Sequence, residues 1–281
     1  MWAALPSVVA ACGEPAAPDA AAATVGNLVR IRAVPDVARV APGEAFHIAV
    51  VFEIEPEWHI YWKNPGAGAM APRVKLETPP GFEVGQPLWP RPSVVESPLG
   101  PEYSYSEEVA LFIPVTAPNG LGDGSVTFRA DVDWAVCSNV CRLGSARQDI
   151  VVATTSRPHR TPTPPVDEPA VERYRRRLPR ELHWPAVAES GPDGTTVTVH
   201  GDAKGLTQIT FLPDDCPGVV YGEWVGTVQD DRFELRIPVE TQPNNALGER
   251  MAVRGLVALG RGLDDPCYDF ELDLGADPDV E

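Results

Sequence analysis

Cys137 and Cys141 are the residues whose type and spacing are best suited to chemistry in this chain. In a loop, two cysteines separated by three residues can approach to the roughly 5.5 Å Cα separation that a disulfide prefers, and so small a ring is expected to be strained. Strain and exposure raise the reduction potential of a disulfide and make it labile. The spacing therefore predicts a pair that cycles between disulfide and dithiol by exchange with a partner.

Two other interpretations of the pair stay open. One is an inert disulfide that closes a hairpin, although so short a ring removes little loop entropy from the unfolded chain. The other is a Cu(I) site formed by both thiolates and a histidine, either His47 or His59. A structural zinc site would need four ligands at known spacings, which the sequence lacks. No metal or other cofactor is therefore predicted.

The segment before the pair indicates where Cys137 points. Between residues 126 and 137 apolar and polar residues alternate, which predicts a strand with one face in a core. Cys137 has the polar parity, so we expect it to face solvent or a partner. Asp131 and Asp133 share that face, and their charge, if near, would raise the thiol pKa. A returning strand over 148–154 would make the segment from Cys137 to Arg147 a hairpin loop.

The rest of the chain predicts an all-β fold. Alternation with period two recurs at residues 46–54, 109–115 and 268–274, and 31 prolines and 24 glycines supply turns. Because no helix separates the strands of either half, sandwiches are favoured over an α/β sheet. Residues 85–105 are rich in proline and glycine and carry Tyr103 and Tyr105, so we expect an ordered loop there.

Composition divides the chain into four parts. Residues 1–27 have the composition of an export-signal remnant with an Ala/Pro tether, 28–155 and 181–281 are predicted β domains, and 156–180 is a Pro-rich linker with a short helix.

Four arginines, at 173 and 175–177, surround that helix. They are consistent with an anion or acidic partner, but a solvated helix packed by Val171, Tyr174 and Leu178 is favoured for so short a charge run.

The other cysteines have separate expected roles. Cys12 follows Val9-Ala-Ala and precedes a glycine, which resembles a bacterial lipobox and predicts lipidation there. Four cysteines then remain, and sequence alone permits three pairings. The simplest joins Cys137 to Cys141 and makes a structural disulfide of Cys216 and Cys267. That bridge would be worth on the order of 4 kcal/mol in the chain-entropy model.

Charge and motifs exclude several functions. The formal net charge of −17 argues against nucleic-acid binding, because phosphates would be repelled. No apolar window is long enough to span a bilayer, so membrane contact is expected only through a lipid anchor. Nucleophile elbows, Walker loops, dinucleotide fingerprints and zinc-protease helices are absent from the sequence. Hydrolase and nucleotide-dependent functions therefore have no support.

An ordered set of motifs carries a family resemblance over about residues 28–155. These motifs are Glu57-Trp-His-Ile-Tyr-Trp-Lys-Asn-Pro-Gly66, Gly81-Phe with Leu88-Trp-Pro90, Tyr103-Ser-Tyr105 and Trp134-Ala-Val-Cys-Ser-Asn-Val-Cys141. Together they resemble the N-terminal periplasmic domain of the thiol:disulfide interchange protein DsbD and its ScsB-like relatives. The second half is similar, more weakly, to the region that follows in ScsB-like proteins. Arg142-Leu143 departs from the family, where proline often follows the second cysteine.

The resemblance implies a fold and a function. It implies an immunoglobulin-like β-sandwich, followed here by a second, smaller β-sandwich domain, in a periplasmic or cell-envelope protein. Cys137 and Cys141 would be the exchanging pair, and the loop bearing Tyr103 and Tyr105 would cap it. Expected partners are a separate membrane thiol electron donor and exported thioredoxin-like or disulfide-isomerase proteins. The chain would then be a component of a protein-disulfide reductase system.

Overall fold

A computed structural model describes residues 28–157, 169–182, 184–191, 194–241 and 251–275. Cys12, the predicted tether and most of the predicted linker lie outside these residues. The described chain is almost all β, with one helix between two groups of strands. The elements are β1 (Val29–Pro35), β2 (Ala45–Ile54), β3 (His59–Gly66), β4 (Arg73–Glu77), β5 (Glu83–Val84), β6 (Ser93–Ser97), β7 (Gly100–Ser106), β8 (Glu108–Thr116), β9 (Gly124–Cys137), β10 (Cys141–Thr154), α1 (Pro169–Arg176), β11 (Arg180–Glu181), β12 (Ala186–Gly191), β13 (Gly194–Asp202), β14 (Ile209–Pro213), β15 (Val219–Tyr221), β16 (Val225–Gln229), β17 (Arg232–Thr241), β18 (Met251–Leu259) and β19 (Cys267–Gly275).

Two sheets form the first, immunoglobulin-like sandwich. One has the strand order β1-β2-β8-β5, and the other has the order β10-β9-β3-β7-β6, with β4 also paired to β9. Alternating apolar side chains from both sheets fill the space between them, as sandwich packing requires. Trp134 of β9 packs edge-on against Phe52 of β2 at a ring-centroid distance of 6.3 Å. This core holds β9, and hence the cysteine pair at its end, in place.

Two further sheets form the second, smaller sandwich. Their strand orders are β11-β19-β18-β14 and β12-β13-β17-β15, with β16 also paired to β17. Phe211, Phe233, Leu235 and Val257 are among the buried side chains of its separate core. The described chain is therefore all-β with two sandwiches, as the sequence predicted.

Two segments predicted as loops are strands instead. The hairpin after Cys137 has only residues 138–140 as its loop, because β10 begins at Cys141 and pairs with β9 without a register shift up to Thr154. The Pro-rich segment 85–105 contains β6 and β7, which form a hairpin whose second strand pairs with β3. Most residues of β6 and of the first half of β10 are exposed, so these segments lack the apolar alternation that marks a strand with one buried face.

Helix α1 packs on the first sandwich, and Arg177 just after it contacts the second. Ala170, Val171 and Tyr174 are buried. Every arginine of the predicted cluster binds a carboxylate of this chain, which favours the packed-helix interpretation over an anion site. The pairs are Arg173 with Glu108 at 3.3 Å, Arg175 with Asp36 at 2.8 Å, Arg176 with Glu172 at 3.0 Å and Arg177 with Asp264 at 2.6 Å.

Polar contacts join the two sandwiches beside β3. Lys63 Nζ lies 2.6 Å from Asp214 Oδ2, and Asn64 Nδ2 donates to the Pro213 carbonyl at 2.8 Å. The buried Arg91 guanidinium donates to the carbonyls of Leu259 and Gly260 at 3.2 and 2.8 Å. Strand β3 therefore contacts the second sandwich at one end and the cysteine pair at the other.

No helix in the described residues is long and apolar enough to cross a bilayer.

Candidate functional site

Cys137 and Cys141 form a disulfide at the tip of the β9–β10 hairpin. The S–S distance is 2.03 Å and the Cα–Cα distance is 4.1 Å. The two residues face each other in the strand register, so the hairpin itself brings the sulfur atoms together. The predicted pairing of these two cysteines is therefore confirmed.

The two cysteines differ sharply in exposure. Cys141 is exposed, and Val140 and Leu143 beside it have 56% and 73% of their surface accessible. Cys137, which was expected to face solvent, is only 1% exposed. Its parity does take it out of the sandwich core, but β3 pairs with β9 at this position and covers it. Cys141 is therefore the exposed residue of the pair, and Cys137 is closed to an incoming thiol.

One residue lies directly alongside Cys137, and a second lies one strand further away. His59 of β3 is its register partner, and Ser106 of β7 is in turn the partner of His59. Directly opposed residues of antiparallel strands share a face and hold their Cβ atoms about 5 Å apart. Sequence reasoning placed His59 on the polar face as a surface residue or a copper ligand, and it did not consider Ser106. The alternation of His59 and Tyr61 with buried Ile60 and Trp62 was the available signal that both occupy the outer face.

A small polar cluster surrounds His59. Its Nε2 is hydrogen-bonded to the Tyr61 hydroxyl at 3.1 Å and lies 4.0 Å from Glu102 Oε2. Burial lowers the pKa of His59 and outweighs the opposing effect of Glu102. Burial and Glu102 both raise the pKa of Tyr61. Near neutral pH, His59 is therefore an uncharged imidazole that can accept a proton.

Asp131 and Asp133 lie too far away to tune the Cys137 thiol. They are six and four residues from Cys137 along β9, which corresponds to about 20 and 14 Å at the usual rise of a strand. Asp131 is moreover bound to Arg147, whose Nε lies 2.5 Å from Oδ1. Charges separated by more than about 10 Å are largely screened at ordinary salt.

Tyr103 and Tyr105 do not cap the pair. Both are buried in the core of the first sandwich, and the Tyr105 hydroxyl donates to the Pro90 carbonyl at 2.6 Å. Tyr105 is the register partner of Ile60, so its side chain lies on the face of the sheet opposite Cys137. The prediction of a tyrosine shield is wrong, because the segment is a strand whose parity turns both rings inward.

The predicted bridge between Cys216 and Cys267 is also wrong, since both are free, buried thiols. Strand β18 lies between them: Cys267 pairs with Ala258 of β18, whereas Tyr221 contacts both Cys216 and the Arg254 carbonyl. Four residues along a strand span about 14 Å. A disulfide needs Cα atoms within about 7 Å.

The histidines proposed as copper ligands are also separated. His47 lies on the other sheet of the sandwich, where its Nδ1 binds Asp36 at 2.9 Å. Among the described residues, no group of three His, Cys, Asp or Glu side chains has the arrangement of a metal site.

Comparisons with known proteins agree with this geometry. Residues 30–153 match the family "Thiol:disulfide interchange protein DsbD, N-terminal". The match covers the first sandwich, which is therefore similar to this domain. A search of curated proteins finds no match for the chain.

Solved structures extend the comparison beyond residues 30–153. The N-terminal periplasmic domain of ScsB from Proteus mirabilis is similar with a TM-score of 0.62 and 17% identity, covering 92% of this chain and 98% of that one. At this identity the likeness shows the fold, and it includes both sandwiches. The E. coli chaperone DraB aligns over 87% of this chain and 99% of its own at 10% identity, but the TM-score of 0.22 is too low to indicate a shared fold.

Gly144 makes room for the indole of Trp134, its register partner on β9. A Cβ at Gly144 would lie 2.5 to 2.7 Å from three atoms of the Trp134 indole. Because the indole is fully buried, we expect Gly144→Val to lower the free energy of unfolding by about 1–3 kcal/mol, as overpacking usually does. Urea denaturation measures this. Ser145→Val, one residue along and exposed, is the control, expected to change stability by less than about 0.5 kcal/mol. Equal stability of both variants would contradict the prediction.

Proposed function

We propose that this protein exchanges disulfides with partner proteins through Cys137 and Cys141, and that the partner attacks at Cys141. The observation that carries the proposal is the asymmetry of the pair, in which Cys141 is exposed and Cys137 is buried. The match of residues 30–153 to the DsbD N-terminal family supports a thiol–disulfide exchange module. An inert hairpin disulfide would need no such asymmetry.

Reduction proceeds in two balanced steps. The thiolate of a dithiol donor attacks Cys141 Sγ, the bond between the two sulfurs of the pair breaks, and the electron pair leaves on Cys137, which takes up a proton. The donor's second thiol, as thiolate, then attacks the donor sulfur of the mixed disulfide and releases Cys141. The donor leaves oxidised, and this chain holds two thiols.

Delivery reverses these roles toward an oxidised partner. The Cys141 thiolate attacks the partner's disulfide and forms a mixed disulfide, and one partner thiol is released. Cys137 must then lose its proton and attack Cys141 Sγ, which reforms the pair and frees the reduced partner. His59 lies opposite Cys137 and is neutral near pH 7, so we assign it as the base for this proton.

The family also suggests the setting. Its members act on thioredoxin-like partners, which are the expected acceptors, and we infer a separate membrane thiol protein as the donor. We propose a periplasmic location, with lipid anchoring through Cys12 remaining a prediction from its sequence pattern. The division at residues 28–155 and 181–281 likewise remains a proposal.

The reduction potential of the Cys137–Cys141 pair tests the exchange function. We expect a value above about −300 mV, because structural disulfides typically lie below this limit. The measurement is equilibration of the whole protein in dithiothreitol redox buffers, with the two states resolved by alkylation and mass spectrometry. The Cys216→Ser/Cys267→Ser variant controls for the free thiols. A potential below the limit would identify the bond as structural and reject the proposal.

A further inference from the structure

The backbone of β10 next to Cys141 has an open hydrogen-bonding edge. β10 is the last strand of its sheet, and between Cys141 and Arg147 no strand of the described residues pairs with its outer side. An open edge presents a row of free N–H and C=O groups to which another strand can add. This edge begins at the cysteine that is exposed.

The hydrogen bonds at the other end of β10 show which residues point outward. The Ala153 carbonyl accepts from Val40 N at 2.9 Å, and Thr155 N donates to the Val40 carbonyl at 3.0 Å, both on the side away from β9. Backbone N–H and C=O groups alternate in direction along a strand, and β10 has no register shift. The backbone groups of its odd-numbered residues therefore point away from β9. Cys141, Leu143 and Ser145 are therefore the residues that offer free backbone groups at this edge.

The Cα–Cα distance of the cysteine pair gives an independent check. Opposed residues of an antiparallel pair lie about 5.5 Å apart when they hydrogen-bond to each other and about 4.5 Å apart when they do not. Cys137 and Cys141 lie 4.1 Å apart, so the backbone of Cys141 does not bond to Cys137. Its N–H and C=O point away from β9, in agreement with the parity from Ala153 and Thr155.

We propose that the β10 edge from Cys141 to Ser145 docks the redox partner, which adds the extended segment carrying its reactive cysteine as an extra strand. This inference rests on the proposed exchange at Cys141. A residue that pairs with Cys141 through its outward groups would have its Cα about 5.5 Å away. Disulfides prefer a Cα separation of about 5.5–6 Å. Strand addition thus places the two cysteines in register and at bonding distance.

Side chains of the edge fit an apolar partner segment. Leu143 shares the face of Cys141 and is 73% exposed, and Val140 in the turn is 56% exposed. Backbone hydrogen bonds would supply affinity with little regard to partner sequence, and a pocket or apolar contact at Leu143 would add preference. This mode suits a protein that must exchange with more than one partner.

A peptide thiol tests strand addition without knowledge of the natural partner. The probe is the capped pentapeptide Val-Thr-Cys-Val-Thr, compared with N-acetylcysteine amide, which has the same thiol but no strand. We expect the peptide to reduce the Cys137–Cys141 bond of the whole protein about tenfold faster, the factor that one or two net backbone hydrogen bonds supply. Quenched-flow alkylation with mass spectrometry gives both rates.

Leu143→Pro removes one outward N–H and leaves the bonds to β9 intact, since proline is tolerated at a strand edge. In Leu143→Pro the peptide should reduce the disulfide less than about twofold faster than N-acetylcysteine amide does. In Leu143→Ala, which keeps the N–H, part of the rate difference should persist. The same peptide N-methylated at its cysteine, used with the unaltered protein, should also lose the advantage. This arm decides the matter if Leu143→Pro does not fold.

The outcomes separate the two proposals. Equal rates for peptide and amino acid, or an advantage that survives both Leu143→Pro and N-methylation, would overturn strand addition and leave exchange at Cys141 standing. A disulfide that neither dithiothreitol nor the peptide reduces would overturn both.

Discussion

The Cys137→Ala protein is expected to accumulate a mixed disulfide with its partners, whereas the Cys141→Ala protein is not. In the first variant the exposed Cys141 can attack, and the cysteine that would release the partner is absent. In the second, the remaining thiol of Cys137 lies behind β3. A buried thiol is not accessible to a partner's disulfide, so we expect Cys141→Ala to trap at least about tenfold less partner than Cys137→Ala.

Two measurements check this asymmetry. Non-reducing gels of cells expressing each variant report the mixed disulfides, and alkylation rates of the purified variants, resolved by peptide mass spectrometry, report the two thiols directly. The Cys137→Ala/Cys141→Ala double variant controls for Cys216 and Cys267. Equal trapping by the single variants, or trapping only by Cys141→Ala, would contradict the assignment of Cys141 as the attacked sulfur.

Asp36→Ala is expected to cause a large loss of stability. This carboxylate is 3% exposed and accepts hydrogen bonds from the His47 backbone N at 2.8 Å and from Arg175 at 2.8 Å, and its Oδ2 also lies 2.9 Å from His47 Nδ1. Hydrogen bonds to charged groups contribute about 1.5–3 kcal/mol each, so the free energy of unfolding should fall by about 3 kcal/mol or more. Arg175→Ala should lose part of this, and the exposed pair of Arg176 provides the control, since Arg176→Ala should cost less than about 1 kcal/mol.

The same network predicts a dependence on pH. Burial alone would raise the pKa of Asp36, but the hydrogen bonds from His47 and Arg175 prevail and hold that pKa below its ordinary value. A carboxylate with a lowered pKa stabilises the fold above its unfolded pKa of about 3.9 and loses that contribution as the pH falls through its folded pKa. Urea denaturation at pH 7 and pH 3 should therefore show a smaller difference between Asp36→Ala and the unaltered protein at the lower pH. A difference that grows on acidification would contradict this sign.

Period-two patterns predicted much of the fold from sequence. The alternation through residues 126–137 correctly gave β9 and the outward parity of Cys137, because one face of that strand packs in a core. The same rule applied to residues 59–61 would have placed His59 and Tyr61 beside the pair. Local alternation is informative wherever a strand has one buried face.

Contacts between distant segments account for the failures. Cys137 is buried because β3 pairs beside it, and Tyr103 and Tyr105 point inward because β7 pairs with β3. Neither pairing has a local signal in a Pro-rich sequence. Cys216 and Cys267 were paired because both fall in the second predicted domain, but Cys216 follows β14 whereas Cys267 begins β19, and the sequence does not show how these segments are placed.

The two free thiols have a kinetic consequence for a protein that exchanges disulfides. A thiol near a reactive disulfide can attack it and scramble the bonds, but only as an accessible thiolate. Burial raises the pKa of Cys267 to about 12, so on the order of one molecule in 100,000 carries that thiolate at pH 7. Cys216 is buried as well, beneath Tyr221. Neither Cys216 nor Cys267 therefore competes with the partner for the disulfide.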